Sequence, residues 1–356
     1  MKEFDYVIIG GGCAGLSLAY ELELNKKLEN KSLAIIEPRT DYSRDKTWSF
    51  WKIKEHNFED CVIKSWNSFE VKSSDILVKV SDSEYMYQSV QSDLFYKKII
   101  NKITQNPNVA FFKSINEINH HNSLIFNSVP ELKHNETNLW QHFKGIEITT
   151  ENKIFDPSSL TLMDFNCDQK DKVHFFYVLP FDTNKALIET TWISEMNNES
   201  LQDYDKQIKD YIDQNLKIKN FKITYSEQGA IPLFYNQSSN TNNVQIGGAG
   251  NMIRLSTGYA FLNIQAHSKY LVKNLENLTL LKKYTIPKKY QHFDKIFFNV
   301  LKKHPNRMPE IFVRFFKSFS NSAIRFMSNK SGIIDDLLTI AKMPKWIFIK
   351  AFFNNE

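Results

Sequence analysis

Glycine is scarce in this chain, with 11 residues among 356, less than half the usual share of about 7%. Cysteine is scarcer still: Cys13, Cys61 and Cys167 are odd in number, far apart and form no C-x-x-C pair. That pattern indicates neither a disulfide framework nor a zinc site, and it suits a reducing compartment. Long apolar runs are missing too. Nowhere do some 18 apolar residues follow one another, and Asp5 interrupts the first hydrophobic run, so neither a membrane span nor a signal-peptide core is expected.

What is present is unevenly placed. A hydrophobic share of 42% and a charged share of 24% fit a globular chain rather than a disordered one, and the length suggests two or more structural units. Eight of the glycines fall in two clusters, Gly10, Gly11, Gly12 and Gly15, then Gly247, Gly248, Gly250 and Gly258. Such placement disfavours a repeat or fibrous protein, whose glycines recur at a period. Charge is segregated as well. Residues 282–356 hold 15 Lys/Arg against 5 Asp/Glu and 14 of the 49 aromatics, so the remainder of the chain is net acidic. Basic residues interleaved with aromatics suit an anionic membrane surface, or else the aromatics form the core of a helical cap. No nucleic-acid recognition motif accompanies them.

The first cluster sits in a full βαβ context. The apolar segment from Phe4 to Ile9 is a strand, Gly10-Gly11-Gly12-Cys13-Ala14-Gly15 follows, and Leu16, Leu18, Ala19 and Leu22 mark a helix. A second strand, Leu33-Ala34-Ile35-Ile36, ends at Glu37. In this dinucleotide-binding fingerprint Gly10 makes the turn, Gly12 admits a pyrophosphate to the backbone, and Gly15 lets helix and strand close. The helix N-terminus, from Cys13 and Ala14, faces the phosphates, and Glu37 accepts from ribose hydroxyls. The second cluster selects the dinucleotide. Val244-Gln245-Ile246 leads to Gly247-Gly248-Ala249-Gly250, and Ser256-Thr257-Gly258-Tyr259 opens a helix, a late strand–loop–helix that returns the chain to the first unit against FAD. Flavin hydroxylases carry an acid directly after the first glycine of this late motif, where this chain has Gly248.

These residues resemble the bacterial FAD-dependent lycopene β-cyclases. The resemblance runs from Phe4–Leu24 and Ile35-Ile36-Glu37 through Asp45-Lys46-Thr47-Trp48-Ser49-Phe50-Trp51, where the family has D-R-T-W-x-F-W. It continues through Leu162-Met163-Asp164-Phe165, Tyr177-Val178-Leu179-Pro180-Phe181, Leu187-Ile188-Glu189-Thr190-Thr191 and Glu227-Gln228-Gly229-Ala230-Ile231-Pro232-Leu233, and reaches Met343-Pro344. It implies a mixed α/β fold. A Rossmann-like FAD-binding domain of the glutathione-reductase type is interrupted by an antiparallel β substrate domain and followed by a C-terminal helical region. The expected boundaries are 1–75, 90–120 and 226–280 for the FAD domain, 76–89 and 121–225 for the substrate domain, and 281–356 for the basic helical region. The Asn-rich stretches near 196–203 and 235–243 are the expected connections.

The resemblance further implies a lycopene cyclase, an intramolecular lyase-type isomerase that closes the ψ-ends of lycopene to β-ionone rings without net redox change. Reduced FAD is then the active cofactor and NAD(P)H its electron source. Ring closure needs a proton donor, stabilisation of a tertiary carbocation and the exclusion of water. A hairpin from Val173 to Ile193, turning at Asp182–Lys185, places Glu189 on one strand face with Leu187, Thr191 and Ile193. An acid on such a face has a raised pKa, and the family's functional acid maps onto Glu189, the expected catalytic residue. Lys46, Thr47 and Trp48 join Gly247, Ala249, Gly250, Thr257 and Gly258 as cofactor contacts. Phe50, Trp51, Asp164, Phe181, Thr191 and Pro232 are the expected substrate lining; for the aromatics, packing beside the flavin is the alternative. How proton transfer divides between Glu189 and the flavin stays open. An FAD-dependent monooxygenase or reductase acting on an isoprenoid lipid is the rival activity, and a non-catalytic carotenoid- or flavin-binding protein a third. The expected partners are acyclic carotenes and a membrane surface, with a cytoplasmic, peripheral location.

Overall fold

The computed structural model describes residues 1–74, 76–81, 83–131, 137–196, 203–236, 243–317 and 320–353. The greater part of both Asn-rich connections, 197–202 and 237–242, therefore lies outside the described residues. Three sheets organise the rest. The first is parallel and five-stranded, in the order Val244–Gln245, Leu124–Asn127, Tyr6–Ile9, Leu33–Ile36, Val109–Phe112. Its central strands are continuous apolar runs because both faces are covered. Helix Cys13–Leu24 packs on this layer, buried nearly all round by Ser92–Ile103 and Phe261–Lys273.

The second sheet has seven strands, ordered Lys222–Pro232, Trp140–Thr149, Lys185–Ser194, Val173–Asp182, Ser159–Asp164, Ser68–Ser73, Ile76–Val80. All its pairs are antiparallel except Ser159–Asp164 with Ser68–Ser73. The hairpin turns tightly at Thr183 and Asn184, with Asp182 opposite Lys185. One face of this sheet packs on helix Tyr204–Gln214, where Tyr211 stacks on Phe176 at 3.9 Å. The other packs on helix Met308–Lys317 through Phe312 and Phe316. The third sheet, Thr47–Trp51, Tyr87–Gln91 and Val62–Trp66, stands between the two larger ones. Helices from Leu278 to Phe353 complete the C-terminal region. Among the described residues, no helix is long and apolar enough to cross a membrane.

Strand pairing crosses the boundaries drawn from sequence in three places. Leu124–Asn127, assigned to the substrate segments, pairs in parallel with Tyr6–Ile9. Ser68–Ser73, assigned to the FAD segments, joins the seven-stranded sheet, and Lys222–Pro232 carries that sheet past residue 226. A short strand's apolar pattern states that it is buried without stating in which sheet, since pairing depends on partners far along the chain.

Candidate active site

The strand Tyr6–Ile9 ends at Gly10, whose φ of +94° and closeness to Ser128 Oγ (2.2 Å from the position of a Cβ) leave no room for a side chain. At Gly15 a Cβ would fall 1.8 Å from the Gly10 carbonyl oxygen. Gly12 differs, with no atom within 4 Å of its Cβ position, so its backbone is open to an approaching group. Cys13, Ala14 and Gly15 form the first turn of the helix behind it, whose N–H groups and dipole favour an anion. Glu37 Oε2 accepts from the Gly11 N–H at 2.7 Å and Oε1 from the Arg39 N–H at 3.0 Å. Beside it lies a cavity of about 480 Å³ lined by Glu37, Arg39, Tyr42 and Phe112, among others. Two buried atoms of those residues, Arg39 Nε and Tyr42 Oη, have no hydrogen-bond partner among the described residues. Open backbone at Gly12, a carboxylate at Glu37 and unpaired polar atoms next to it fit the adenosine-diphosphate half of a dinucleotide.

The second cluster meets the first. A Cβ at Gly247, where φ is +58°, would lie 2.5 Å from that of Ala14, and Gln265 Nε2 donates to Ser17 Oγ at 2.8 Å. Ala249 is buried beside them, and Gly250 folds onto the Gln245 carbonyl. The chain then turns at Gly258 (φ +70°), leaving Thr257 and Gly258 on the wall of a second cavity.

That cavity, of about 350 Å³, is the meeting point of all three layers. Thr47 and Trp48 line it from the third sheet with Lys46 just before them, Thr257 to Ala260 from the late loop and Phe261 from the helix that follows, and Phe312 and Met327 from the C-terminal helices. Its floor is the seven-stranded sheet. Glu227, Gly145, Glu189 and Tyr177 stand directly opposite one another on four neighbouring strands, as one row across the sheet. The next row is Gly229, Phe143, Thr191 and Phe175. Strand alternation sends both rows to the same face. Gly229 is required there, since a Cβ would come within 2.7 Å of the Phe143 ring.

The two carboxylates of the first row are buried and have no salt bridge among the described residues. Burial, and then the neighbouring Glu227, push Glu189 up to about 8, against the weaker opposite pull of the Thr191 hydroxyl and the more distant Lys46. Thr191 Oγ1 donates to Glu189 Oε1 at 2.7 Å. Glu227 is also raised by burial, but Tyr225 Oη donates to its Oε2 at 2.8 Å, and Thr47, Arg44 and Lys46 favour its charged form. On the other side of Glu189, Tyr177 Oη donates to Tyr87 Oη at 2.9 Å, which lies 3.1 Å from Tyr259 Oη. Burial holds all three phenols well above their ordinary value, so they stay protonated. A protonated carboxyl in a cavity lined largely by apolar and aromatic side chains is a proton donor at neutral pH.

The expected cofactor residues thus gather at two places. Gly10, Gly12, Cys13, Ala14, Gly15 and Glu37 belong to the first loop and the strand end beside it, which Gly247 meets at Ala14, while Lys46, Thr47, Trp48, Thr257 and Gly258 border the second cavity with Glu189. The expected substrate lining is less well gathered. Asp164 lies on the opposite face of its strand, where Tyr211 Oη donates to its Oδ2 at 2.9 Å, and Leu162 and Met163 reach the cavity instead. A register shift between Thr161 and Asp164 breaks the simple alternation there. Phe50 stacks behind Phe261 at 4.7 Å, and Trp51 is enclosed by Phe69 and Tyr87. Phe181 packs near Trp66, and Pro232 lies past the lining residues Gly229, Ala230 and Ile231. Thr191 reaches the site through its bond to Glu189. Sequence reasoning passed over Glu227, Tyr87, Tyr177, Phe143 and Phe175. Glu227 and Tyr177 stand inside segments that carry the family resemblance, which was the available signal.

The fold is one shared with solved flavin-dependent proteins. The structure is similar to a geranylgeranyl bacteriochlorophyll reductase-like protein from Thermoplasma acidophilum, with a TM-score of 0.62, 13% identity and 100% of both chains covered. It is also similar to a flavoprotein/dehydrogenase from Cytophaga hutchinsonii (TM-score 0.59, 11% identity, 100% of both chains). A tryptophan halogenase from Shewanella frigidimarina gives a TM-score of 0.56 at 11% identity, over 100% of this chain and 94% of that one. At such identities the likeness is one of fold. The sequence is more specific: a family model described as lycopene cyclase protein matches residues 5–351, and the chain belongs to that family. No curated protein sequence matches it.

Proposed function

We propose that this protein is a lycopene β-cyclase, converting the ψ-ends of lycopene to β-ionone rings, by way of γ-carotene to β-carotene, without net redox change. The observation that carries the reading is Glu189, a carboxyl held protonated in an aromatic cavity of a chain that belongs to the lycopene cyclase family. Glu189 delivers its proton to the terminal alkene, and a second alkene attacks the resulting tertiary cation to close the ring. Trp48, Phe143 and Phe175 line the cavity, where their rings would stabilise the developing charge. Tyr177, opposite Glu189, fixes the geometry of the floor through its bond to Tyr87.

Reduced FAD, with NAD(P)H as its electron source, supplies an electron-rich ring system that stabilises positive charge when bound. The residues that would hold it are Gly10, Gly12, Cys13, Ala14, Gly15 and Glu37 at the adenosine-diphosphate end, with Gly247, Ala249 and Gly250 against them. Lys46, Thr47, Trp48, Thr257 and Gly258 continue to the cavity.

The carotene would be drawn from a membrane. Support comes from the last two helices, Ile333–Lys342 and Lys345–Phe353, where Ile333, Ile334, Leu337, Trp346 and Phe353 are each more than 60% exposed among lysines. Trp346→Ser combined with Phe353→Ser should then weaken binding to anionic liposomes.

Expression in a lycopene-accumulating bacterial host, with pigment chromatography, tests the activity: cyclic carotenes are expected, and unchanged lycopene beside folded, FAD-loaded protein refutes it. Likeness to the Thermoplasma reductase-like protein favours, as a second reading, a reductase acting on an isoprenoid lipid. Consumption of one NAD(P)H per product marks that case.

A further inference from the structure

Ring closure moves two different protons, one onto the terminal alkene and one off the carbon beside the cation. Only the first has an owner so far. Gly145, which falls in no motif of the sequence, points to the second. It stands between Glu189 and Glu227 in the same row of the sheet, and a Cβ there would lie 3.5 Å from Glu189 Cβ, 3.5 Å from Glu227 Cγ and 3.2 Å from Leu187 Cδ1. Residues two strands apart lie about 9.5 Å from each other across the sheet and do not ordinarily interact. With glycine between them, both carboxyl groups have one uninterrupted floor. Each of them also lines the cavity.

The surroundings of the two differ in kind. Among the described residues Glu189 has one hydroxyl donor, Thr191, and a largely apolar, aromatic neighbourhood. Glu227 accepts from Tyr225 Oη, has Thr47 as a second hydroxyl neighbour, and lies near Arg44, whose guanidinium is 3.7 Å from the Tyr225 ring centroid. Paired carboxylates whose environments separate them in this way divide acid and base work.

We propose that Glu227 is the catalytic base of the cyclisation, removing the proton lost when the ring double bond forms, while Glu189 is the acid. The inference rests on the cyclase reading above. The Glu189 O–H bond breaks as a C–H bond forms on the alkene, and the second alkene's electron pair makes the ring C–C bond. The C–H bond beside the new cation then breaks, its electron pair becomes the ring double bond, and the proton goes to the Glu227 carboxylate. Glu227 is left protonated and Glu189 ionised. Return of that proton across the gap at Gly145 resets both, with no oxidant or reductant consumed.

The test uses the full-length, flavin-reduced protein with lycopene dispersed in detergent and buffer made in D₂O, both cyclic product and recovered lycopene being analysed by mass spectrometry. Glu227→Gln should cut ring formation by about 100-fold or more while recovered lycopene still gains deuterium, because protonation by Glu189 continues and reverses. Glu189→Gln should lower both ring formation and deuterium uptake by about 10²–10⁴-fold. Glu227→Asp, which keeps a carboxylate, should restore ring formation to within about 30-fold of the unaltered protein. Flavin content and melting temperature are measured for every variant. Ring formation by Glu227→Gln within threefold of the unaltered protein overturns the proposal, as does a folded, flavin-loaded Glu227→Gln that loses deuterium uptake along with cyclisation. An Asp variant no better than Gln also overturns it. An unaltered protein that neither cyclises nor deuterates lycopene overturns the cyclase reading instead.

Discussion

Two neighbouring rows of one sheet treat a buried glutamate in opposite ways. Glu147 and Glu189 lie on paired strands and the same face, and they are 3% and 9% exposed. Glu147 has Arg44 Nη1 at 2.8 Å, Lys185 Nζ at 2.9 Å and the Thr224 hydroxyl at 2.8 Å. Burial alone would raise its pKa, but those partners outweigh burial and hold it below the ordinary value. Glu189, one row along, faces Gly145 and Tyr177 and, among the described residues, has no cation in contact. Burial therefore does not separate a structural carboxylate from a reactive one; the partners at the end of the side chain do.

The comparison is broken most severely at Glu189. Glu189→Gln should lower cyclisation by about 10²–10⁴-fold with flavin content unchanged, as read by pigment chromatography and flavin absorbance. A variant that still cyclises removes Glu189 from the acid role. The next largest effect falls on the other row. Glu147→Ala strands the largely buried Arg44 and should cost about 3–5 kcal/mol of stability in urea denaturation. Glu189→Gln should cost far less.

Proton linkage sharpens the contrast. The folded pKa of Glu189 is raised, so the stability linked to its protonation is full below the unfolded value near 4.5 and is lost as pH rises toward about 8. Stability of the unaltered protein should fall by about 2–3 kcal/mol between pH 6 and 8 from this group, and Glu189→Gln should flatten that slope in thermal melts at each pH. Cyclisation should decline above the same pH of about 8 as the donor ionises. The smallest expected effect concerns the gap between the carboxylates. Gly145→Ala brings a methyl group to 3.2 Å from Leu187 Cδ1 and between Glu189 and Glu227, and it should slow turnover by about tenfold with little change in melting temperature.

Local pattern made much of this legible. The strand, glycine loop, helix and following acid are contiguous in sequence, and Gly10 and Gly15 answer to close contacts, at Gly10 also to a positive φ, that exclude other residues. The hairpin that displays Glu189 is also local, since Asp182 and Lys185 close it through a two-residue turn. Asp164 was less legible because a register irregularity turned it toward Tyr211, and no alternation rule anticipates such a shift. Trp51 was misleading for another reason: a tryptophan near a cofactor motif lines a site or fills a core with the same composition, and here it is fully buried between Phe69 and Tyr87.

By itself the sequence determined the dinucleotide loop, the family and the strand face on which Glu189 stands, because each depends on residues close together in the chain or on motifs in fixed order. Tertiary structure alone decided that Glu227, Gly145, Glu189 and Tyr177 form one row. Register between strands so far apart in sequence is set by how whole sheets pack, and a shift of one residue would have turned Glu227 away from the cavity.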